Sequence, residues 1–490
     1  MSAKHPGGAG LKRRLGLTST IIVRVIGNLV ALLINVAAAF ILVRKLSPSD
    51  YAFYQTLTKR GVWIGSLLLL LLGEWVYRYN AQRIPGSWEA SIVASIISAF
   101  YAFFAGIIVA QYLRASISIA FLSGLALSSF AAFAMLRMAL NALRPLRFTL
   151  LNIVYRLFYT TFVVFFVYFI GYGVIGALWS MIIAGIVASF LCYAWGKRAK
   201  PPTSSLSLLL REWIRHSFVY VPTALARILA SLDALIAYHF WGSQAVAAFF
   251  ATFMVFSLIR ESIAVGTNYV AAYLLQGGKE EKSLQGLVAL LALIVPLLVF
   301  MASHPFHIVY LINPRYAWAR SVIAFHALYT VTAMFEAYFA SIASGSIKGR
   351  AEETAIKLLK LTSLFFFTRI AYFLLITVLA LTLGKGPSRL IAWSMSLTIV
   401  SLLSIIGYVK LTPSLSYSMF KRHAILTIIY TVLSYLVARL VRLPLPSQRF
   451  FLEVKILALP FIEYVIITYI IIVLITPELR QMLKHVLKLV

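Results

Sequence analysis

Apolar residues run along this chain in stretches of about twenty, and the breaks between them are short and polar. A helix crossing a hydrocarbon layer about 30 Å thick needs about 20 such residues. Strands of a membrane barrel would alternate apolar and polar positions over about ten residues instead. Read by run and breaker, the sequence predicts fourteen helices, at 16–43, 51–77, 89–112, 116–140, 147–170, 173–196, 213–240, 244–275, 284–303, 316–344, 354–383, 388–410, 422–441 and 450–476. The longest polar gap, 197–212, begins Lys197-Arg198-Ala199-Lys200-Pro201-Pro202. It reads as a linker on the cytoplasmic side between a first lobe of six helices (1–196) and a second (213–410). Two further helices lie in 411–476. The tail 477–490 reads as an amphipathic surface helix, with Leu479, Met482, Leu483, Val486 and Leu487 apolar and Arg480, Lys484 and Lys488 basic. The expected class is an all-α polytopic membrane protein.

Composition narrows the class. Apolar residues make up 62% of the chain and charged ones 12%, against about 45–50% and 25% in soluble domains. Mean hydropathy is +0.92. A soluble enzyme, a single-anchor protein and a disordered chain are excluded. The first apolar run continues to Val43, beyond the 7–15-residue core of a signal peptide, so it reads as a retained first span. The 44 Lys+Arg against 14 Asp+Glu give a formal +30. No basic stretch is interleaved with aromatics on a polar background, so the charge points to anionic lipid and not to nucleic acid. Of the 44, 25 fall on the side of the N-terminus and 11 on the other. That bias predicts a multi-pass protein of the cell membrane with both termini cytoplasmic. Cys192, the single cysteine, cannot form a disulfide within the chain. His304 and His307 stand three apart with no third ligand beside them, so neither a metal nor another cofactor is expected.

Chemistry must reside in charges inside the spans. Arg24, Lys59, Arg60, Arg137, Arg156, Arg227, Arg260 and Arg369 fall within predicted helices, as do Glu74, Asp233, Glu261, Glu336 and Glu463. Each costs at least about 2.5–3.5 kcal/mol if it faces lipid at mid-depth. Glu74, Arg137, Arg156 and Glu463 read as side chains near helix ends that snorkel to the interface. The rest form stripes. Thr20, Arg24, Asn28 and Asn35 share one face of helix 1. Ser257, Arg260, Glu261 and Asn268 do so on helix 8, and helix 2 offers Gln55, Thr56, Lys59 and Arg60. Helix 7 carries Thr223, Arg227 and Ser231, with Pro222 predicting a kink. The first six helices hold five of the cations and one acid, whereas the next six hold three of each. Unneutralised positive charge in a cavity calls for an anionic guest, such as a pyrophosphate gripped by arginine forks. Arg24, Asn28, Asn35, Lys59, Arg60, Arg227 and Arg260 are therefore the candidate substrate-binding residues. Asp233 and Glu261 are candidates for coupling. The plainer alternatives are structural pairs, Asp233 with Arg227 and Arg260 with Glu261 or Asp233. Arg24 and Arg60 have no acid nearby in sequence.

A weak repeat runs through the chain. The turn 46–54 matches 241–249 at an offset of 195, and Tyr112-Leu113 matches Tyr310-Leu311 at 198. Duplication of a six-helix unit keeps both copies in one orientation, so their relating axis should lie along the membrane normal.

Four stretches in register resemble the polysaccharide and oligosaccharide-lipid flippases of the multidrug/oligosaccharidyl-lipid/polysaccharide (MOP) exporter superfamily. They are Leu46-Ser47-Pro48-Ser49-Asp50-Tyr51-Ala52, Asn141-Ala142-Leu143-Arg144-Pro145-Leu146-Arg147-Phe148, Gly171-Tyr172-Gly173-Val174-Ile175-Gly176-Ala177, and Leu232-Asp233 with Gly242-Ser243-Gln244-Ala245-Val246-Ala247. The resemblance covers about residues 15–410. It implies two six-helix lobes in a V around a central cavity, two appended helices, and alternating-access transport of a lipid-linked oligosaccharide with an anionic pyrophosphate head. Membrane lipids and glycan-assembly enzymes are the implied partners. It also implies basic cavity residues on helices 1, 2 and 8, which here carry Arg24, Arg60 and Arg260. Sodium-coupled relatives keep an acid where Asp233 stands and acid or amide ligands on helix 11. Helix 11 here offers Thr362, Ser363, Thr368 and Arg369, with no carboxylate or amide, a set that argues against a sodium site and leaves Asp233 as a proton site or the structural partner of Arg227.

Three rivals are weighed against this reading. A multidrug exporter of the same superfamily usually takes cations, which a positive lobe disfavours. A membrane glycosyltransferase or polymerase would need an outer catalytic acid or domain. The expected outer loops, longest at 304–315 and 442–449, are short, and only Asp50 and Glu453 lie near that surface. A passive scramblase or scaffold would need no gradient.

Overall fold

The computed structural model describes residues 30–31, 34–81, 85–197, 206–275, 280–347, 351–384, 386–412 and 417–481. All regular structure among them is helical. Twelve helices are long and apolar enough to cross a membrane, and one bent pair makes a thirteenth when read as a single span. Of the predicted first span, the described part is helical through 45 (α1, 34–45). The chain is a multi-pass membrane protein. Thr20, Arg24, Asn28, linker residues 198–205 and tail residues 482–490 lie outside the described residues.

α2 (Pro48–Gln55) begins as its sequence dictates. Ser47 Oγ accepts from the Asp50 amide at 3.1 Å, Pro48 fills the first turn, and Asp50 sits at the positive end of the helix dipole. The second span is not the straight helix expected over 51–77. α2 widens into a π-helical turn, Thr56–Gly61, continues as α3 (Val62–Gly65), breaks at Ser66 and resumes as α4 (Leu67–Ala81). The break bends the span by 48°. Gly61 and Gly65 let two neighbouring helices approach, because a Cβ would lie 3.3 Å from a Val109 carbon at Gly61 and 3.3 Å from a Leu127 carbon at Gly65.

α4 packs with α5 (Ser87–Tyr112) and α6 (Ile117–Leu143), and α7 (Pro145–Val163) and α8 (Gly173–Lys197) complete the first lobe. α5 and α6 touch through Gly106 and Gly124, where a Cβ would come within 2.8 Å of the facing backbone.

The described end of the linker is itself a helix, α9 (Leu206–His216). It buries Leu209 and Trp213 and packs on α4 and α5. This corrects the expected span 213–240. Residues 213–216 end α9, a 3-10 turn Ser217–Tyr220 follows, and α10 is Val221–Trp241. Pro222 starts α10 instead of kinking it, because a first-turn residue has no intrahelical use for the missing N–H. The second lobe continues with α11 (Ser243–Leu275) and α12 (Glu280–Ser303). The expected loop 304–315 holds a short helix, α13 (Pro305–Ile312), and a 3-10 turn Pro314–Ala319. Ile308, Val309 and Ile312 give α13 a buried apolar face. α14 (Val322–Ser346), α15 (Ala351–Thr382) and α16 (Ser388–Leu411) close the lobe. α17 (Tyr417–Leu440) and α18 (Phe450–Ile475) pack against α12.

The lobes meet where α2 lies along α11 and where the π turn, α3 and α4 lie along α10. The two turns of the internal repeat thus start the helices, α2 and α11, that pack together. At the face carrying these turns, Asn313 Nδ2 donates to Val43 O at 2.7 Å, and Arg44 donates to the Tyr310 and Leu311 carbonyls at 2.9 and 2.8 Å. These bonds close the lobes at that end.

Candidate functional site

Two clusters of charge cross the lobe interface. The first is buried. Arg60, delivered by the π turn, places Nη2 2.8 Å from Asp233 Oδ2 of α10. Asp233 is fully buried. Its Oδ2 also accepts from Tyr372 Oη at 2.6 Å and Trp393 Nε1 at 3.1 Å, and its Oδ1 accepts from the Ala234 amide at 2.6 Å. An ionised carboxylate inside protein needs such saturation. Arg60 is not saturated in turn: its Nε is buried without a hydrogen-bond partner. The second cluster is open. Glu261 of α11 lies 3.5 Å from Lys59 Nζ and 3.7 Å from an Arg156 nitrogen, with side-chain exposures of 38%, 45% and 32% in that order. Intermediate exposure well inside the spans marks a space between the lobes. Arg156 also donates to Asn35 Oδ1 of α1 at 2.8 Å.

The remaining candidates, Arg227 and Arg260, form no ion pair among the described residues. Arg227 of α10 crosses to the first lobe and stacks 4.8 Å from the Trp63 ring. Arg260 of α11 lies 4.8 Å from the Tyr329 ring and 5.8 Å from Phe253. Stacking on a ring face leaves the guanidinium edge donors available. Five cations (Lys59, Arg60, Arg156, Arg227, Arg260) therefore face two carboxylates.

These contacts rearrange several sequence expectations. Arg60, which had no acid nearby in sequence, pairs with Asp233, so Asp233 is not the partner of Arg227. Arg260 pairs with neither Asp233 nor Glu261. Arg156, read as snorkelling, joins the Glu261 cluster. Arg137 donates to Asn152 Oδ1 at 3.5 Å and stacks near Phe133 and Phe148 within the first lobe. Arg369 pairs with Glu336 at 2.6 Å, and Ser401 donates to the other Glu336 oxygen at 2.7 Å, so this cluster belongs to the second lobe alone. Asn35 is buried at 9% exposure. Glu453, read as an outer-surface acid, is fully buried between His307 and the Ser447 amide, at 2.7 and 2.5 Å, and pins α18 to α13. Sequence reasoning passed over Tyr372, Trp393 and Trp63, because aromatics at helical spacing give no sign of which charge they will meet.

No protein-family model matches the sequence, and no curated protein sequence does. Solved structures match by shape. A MATE protein in complex with MaD3S shares 15% identity at a TM-score of 0.55, over 81% of this chain and 95% of that one. A MOP superfamily transporter from Pyrococcus furiosus, described as having a binding pocket of reverse polarity, gives 15% and 0.54 over the same shares. An inward-facing multidrug resistance MATE transporter gives 14% and 0.53, over 80% of this chain and 98% of that one. Two helical lobes meeting along α2, α10 and α11 thus make up the fold of the MATE transporters of the MOP superfamily.

Proposed function

We propose that this protein is a flippase that carries a lipid-linked oligosaccharide with an anionic pyrophosphate head across the cell membrane by alternating access. The observation that carries the reading is the surplus of cations at the lobe interface, with Arg227 and Arg260 held on aromatic faces and in no ion pair among the described residues. An arginine kept at such depth without a counter-ion is costly unless a guest supplies the charge. Arg60 adds an unspent donor at the buried pair. Arg24 and Asn28 would extend the same polar face along helix 1. Binding an anion on both lobes draws them together, and exchange of Arg60 between Asp233 and the guest gives the second arrangement that alternation requires. Asp233 and Glu261, which bridge the lobes through Arg60, Lys59 and Arg156, are the carboxylates that would couple the movement. Both termini lie in the cytoplasm on this reading, beside the enzymes that build the glycan.

A multidrug exporter is the second reading, favoured by a solved structure of this fold described as a multidrug resistance transporter. The fold also includes the transporter described as having a binding pocket of reverse polarity, so the sign of the cleft separates the two readings. In proteoliposomes, a fluorescent polyprenyl-diphosphate oligosaccharide should bind and cross. Arg227→Ala or Arg260→Ala should each weaken head-group binding about 10–150-fold, the loss of one charge-assisted bond of about 1.5–3 kcal/mol. Arg→Lys should recover part of it, restoring charge without the fork. Parental flipping by both Ala variants, or transport of an organic cation in place of the anion, would overturn the proposal.

A further inference from the structure

Back to back with the charged cleft lies an apolar groove of about 760 Å³ that opens on the outside of the bundle. Its first-lobe wall is one face of α5. Ile97, Phe100, Tyr101, Phe104, Ile108 and Tyr112 recur at spacings of three and four along it. The opposite wall comes from the second lobe, as Leu232, Leu235 and Ile236 of α10 and Phe373 of α15.

The groove and the cleft share their dividing wall residue by residue. On α3, Ile64 lines the groove while its neighbour Trp63 stacks on Arg227. On α10, Leu232 lines the groove while Asp233 holds Arg60. On α15, Phe373 lines the groove while Tyr372 donates to Asp233. One helix thickness, about 10 Å, therefore separates an anion in the cleft from a chain in the groove. Ile97 to Tyr112 rises about 22 Å along the helix, more than half of a hydrocarbon core about 30 Å thick. A phospholipid acyl chain stays within its own half of the bilayer, whereas a polyisoprenoid chain extends further. Ile97, Phe100, Phe104, Ile108 and Tyr112 are exposed along this length, so a chain can enter sideways from the bilayer.

We propose that this groove between α3–α5 and α10/α15 holds the polyisoprenoid chain of the substrate while its anionic head occupies the cleft, an assignment that rests on the function proposed above. Because its walls come from different lobes, the groove changes shape whenever the lobes move. The chain is then gripped in one arrangement and released in the other.

The test is photolabelling of the full-length protein in phosphatidylglycerol vesicles. The photoreactive amino acid p-benzoylphenylalanine replaces Phe104 in the groove or, as a control, Phe190, which is exposed on α8. The probe is a radiolabelled polyprenyl diphosphate, and radiolabelled phosphatidylglycerol serves as the second arm. Position 104 should capture the polyprenyl probe at least about fivefold better than position 190. Excess unlabelled polyprenyl diphosphate should abolish the difference, and phosphatidylglycerol should label both positions alike. Equal polyprenyl capture at the two positions refutes the groove, and so does equal capture of both lipids at 104. Binding of geranyl diphosphate, too short to fill the groove, is measured in parallel. If it binds in an Arg260-dependent way while groove labelling is flat, the groove assignment alone falls. If it does not bind and no labelling occurs, the proposed function falls and takes the groove with it.

Discussion

The Arg60–Asp233 pair joins the lobes across 173 residues of sequence, and its strength can be isolated by a double-mutant cycle. At 2.8 Å and an effective dielectric of about 20, the Coulomb attraction is about 6 kcal/mol. Desolvating both groups offsets much of that. The Arg60 side chain keeps 20% exposure, which screens the pair further. A charge-assisted bond in such a setting nets about 1.5–3 kcal/mol, within the range of about 1.5–7 kcal/mol measured for close interfacial pairs. We expect a coupling of about 2–3 kcal/mol, a factor of roughly 30–150 in the balance between lobe arrangements. Asp233→Asn also disturbs the bonds from Tyr372, Trp393 and Ala234, so the single variant overstates the pair; the cycle with Arg60→Met cancels that excess. The assay is the distance distribution between spin labels at Ile117 and Leu381, which are exposed at 84% and 65% on different lobes. Each single replacement should shift the population away from the arrangement described above, and the double variant should shift it no further than Asp233→Asn alone. Strict additivity, or unchanged distributions in both singles, would show that the pair does not hold the lobes together.

Further outcomes follow from other contacts. Glu261→Gln leaves Lys59 and Arg156 unopposed at partly exposed positions; head-group affinity should rise several-fold, about 1 kcal/mol or less, with a steeper fall as salt is added, both read by fluorescence titration. Gly106→Ala drives a Cβ to 2.8 Å from Ser123 O and Gly124 Cα; overpacking of about 1–3 kcal/mol should lower the thermal midpoint and the monodisperse yield in detergent. Glu453→Ala removes the acceptor for His307 and the Ser447 amide; a loss of about 3–5 kcal/mol at a buried pair should raise hydrogen exchange across 441–449 while leaving α5 and α6 protected.

The length of an apolar run is a local property, and bilayer thickness converts it directly into a span. That is why twelve of the predicted spans, 89–112 through 450–476, reappear as long helices with shifted ends, and why the Ser47–Pro48–Asp50 helix start was legible from three adjacent residues. Hydropathy does not register backbone geometry inside an apolar run. The π turn at Thr56–Gly61 and the break at Ser66 therefore left no mark on the apolar pattern. α13 was hidden for a related reason: eight residues are too few for a span, and their burial comes from neighbours distant in sequence. The sequence by itself determined that charged residues sit inside the spans and that they are mostly positive. Which charges are neutralised was decided only by tertiary structure. Arg60 finds Asp233 and Glu261 finds Arg156 because the facing helix surfaces come from opposite lobes, whereas Arg227 and Arg260 meet only rings. An ion pair inside a membrane depends on a separation of a few ångströms between helices far apart in the chain, 173 residues for Arg60 and Asp233, and no spacing along one helix encodes that distance.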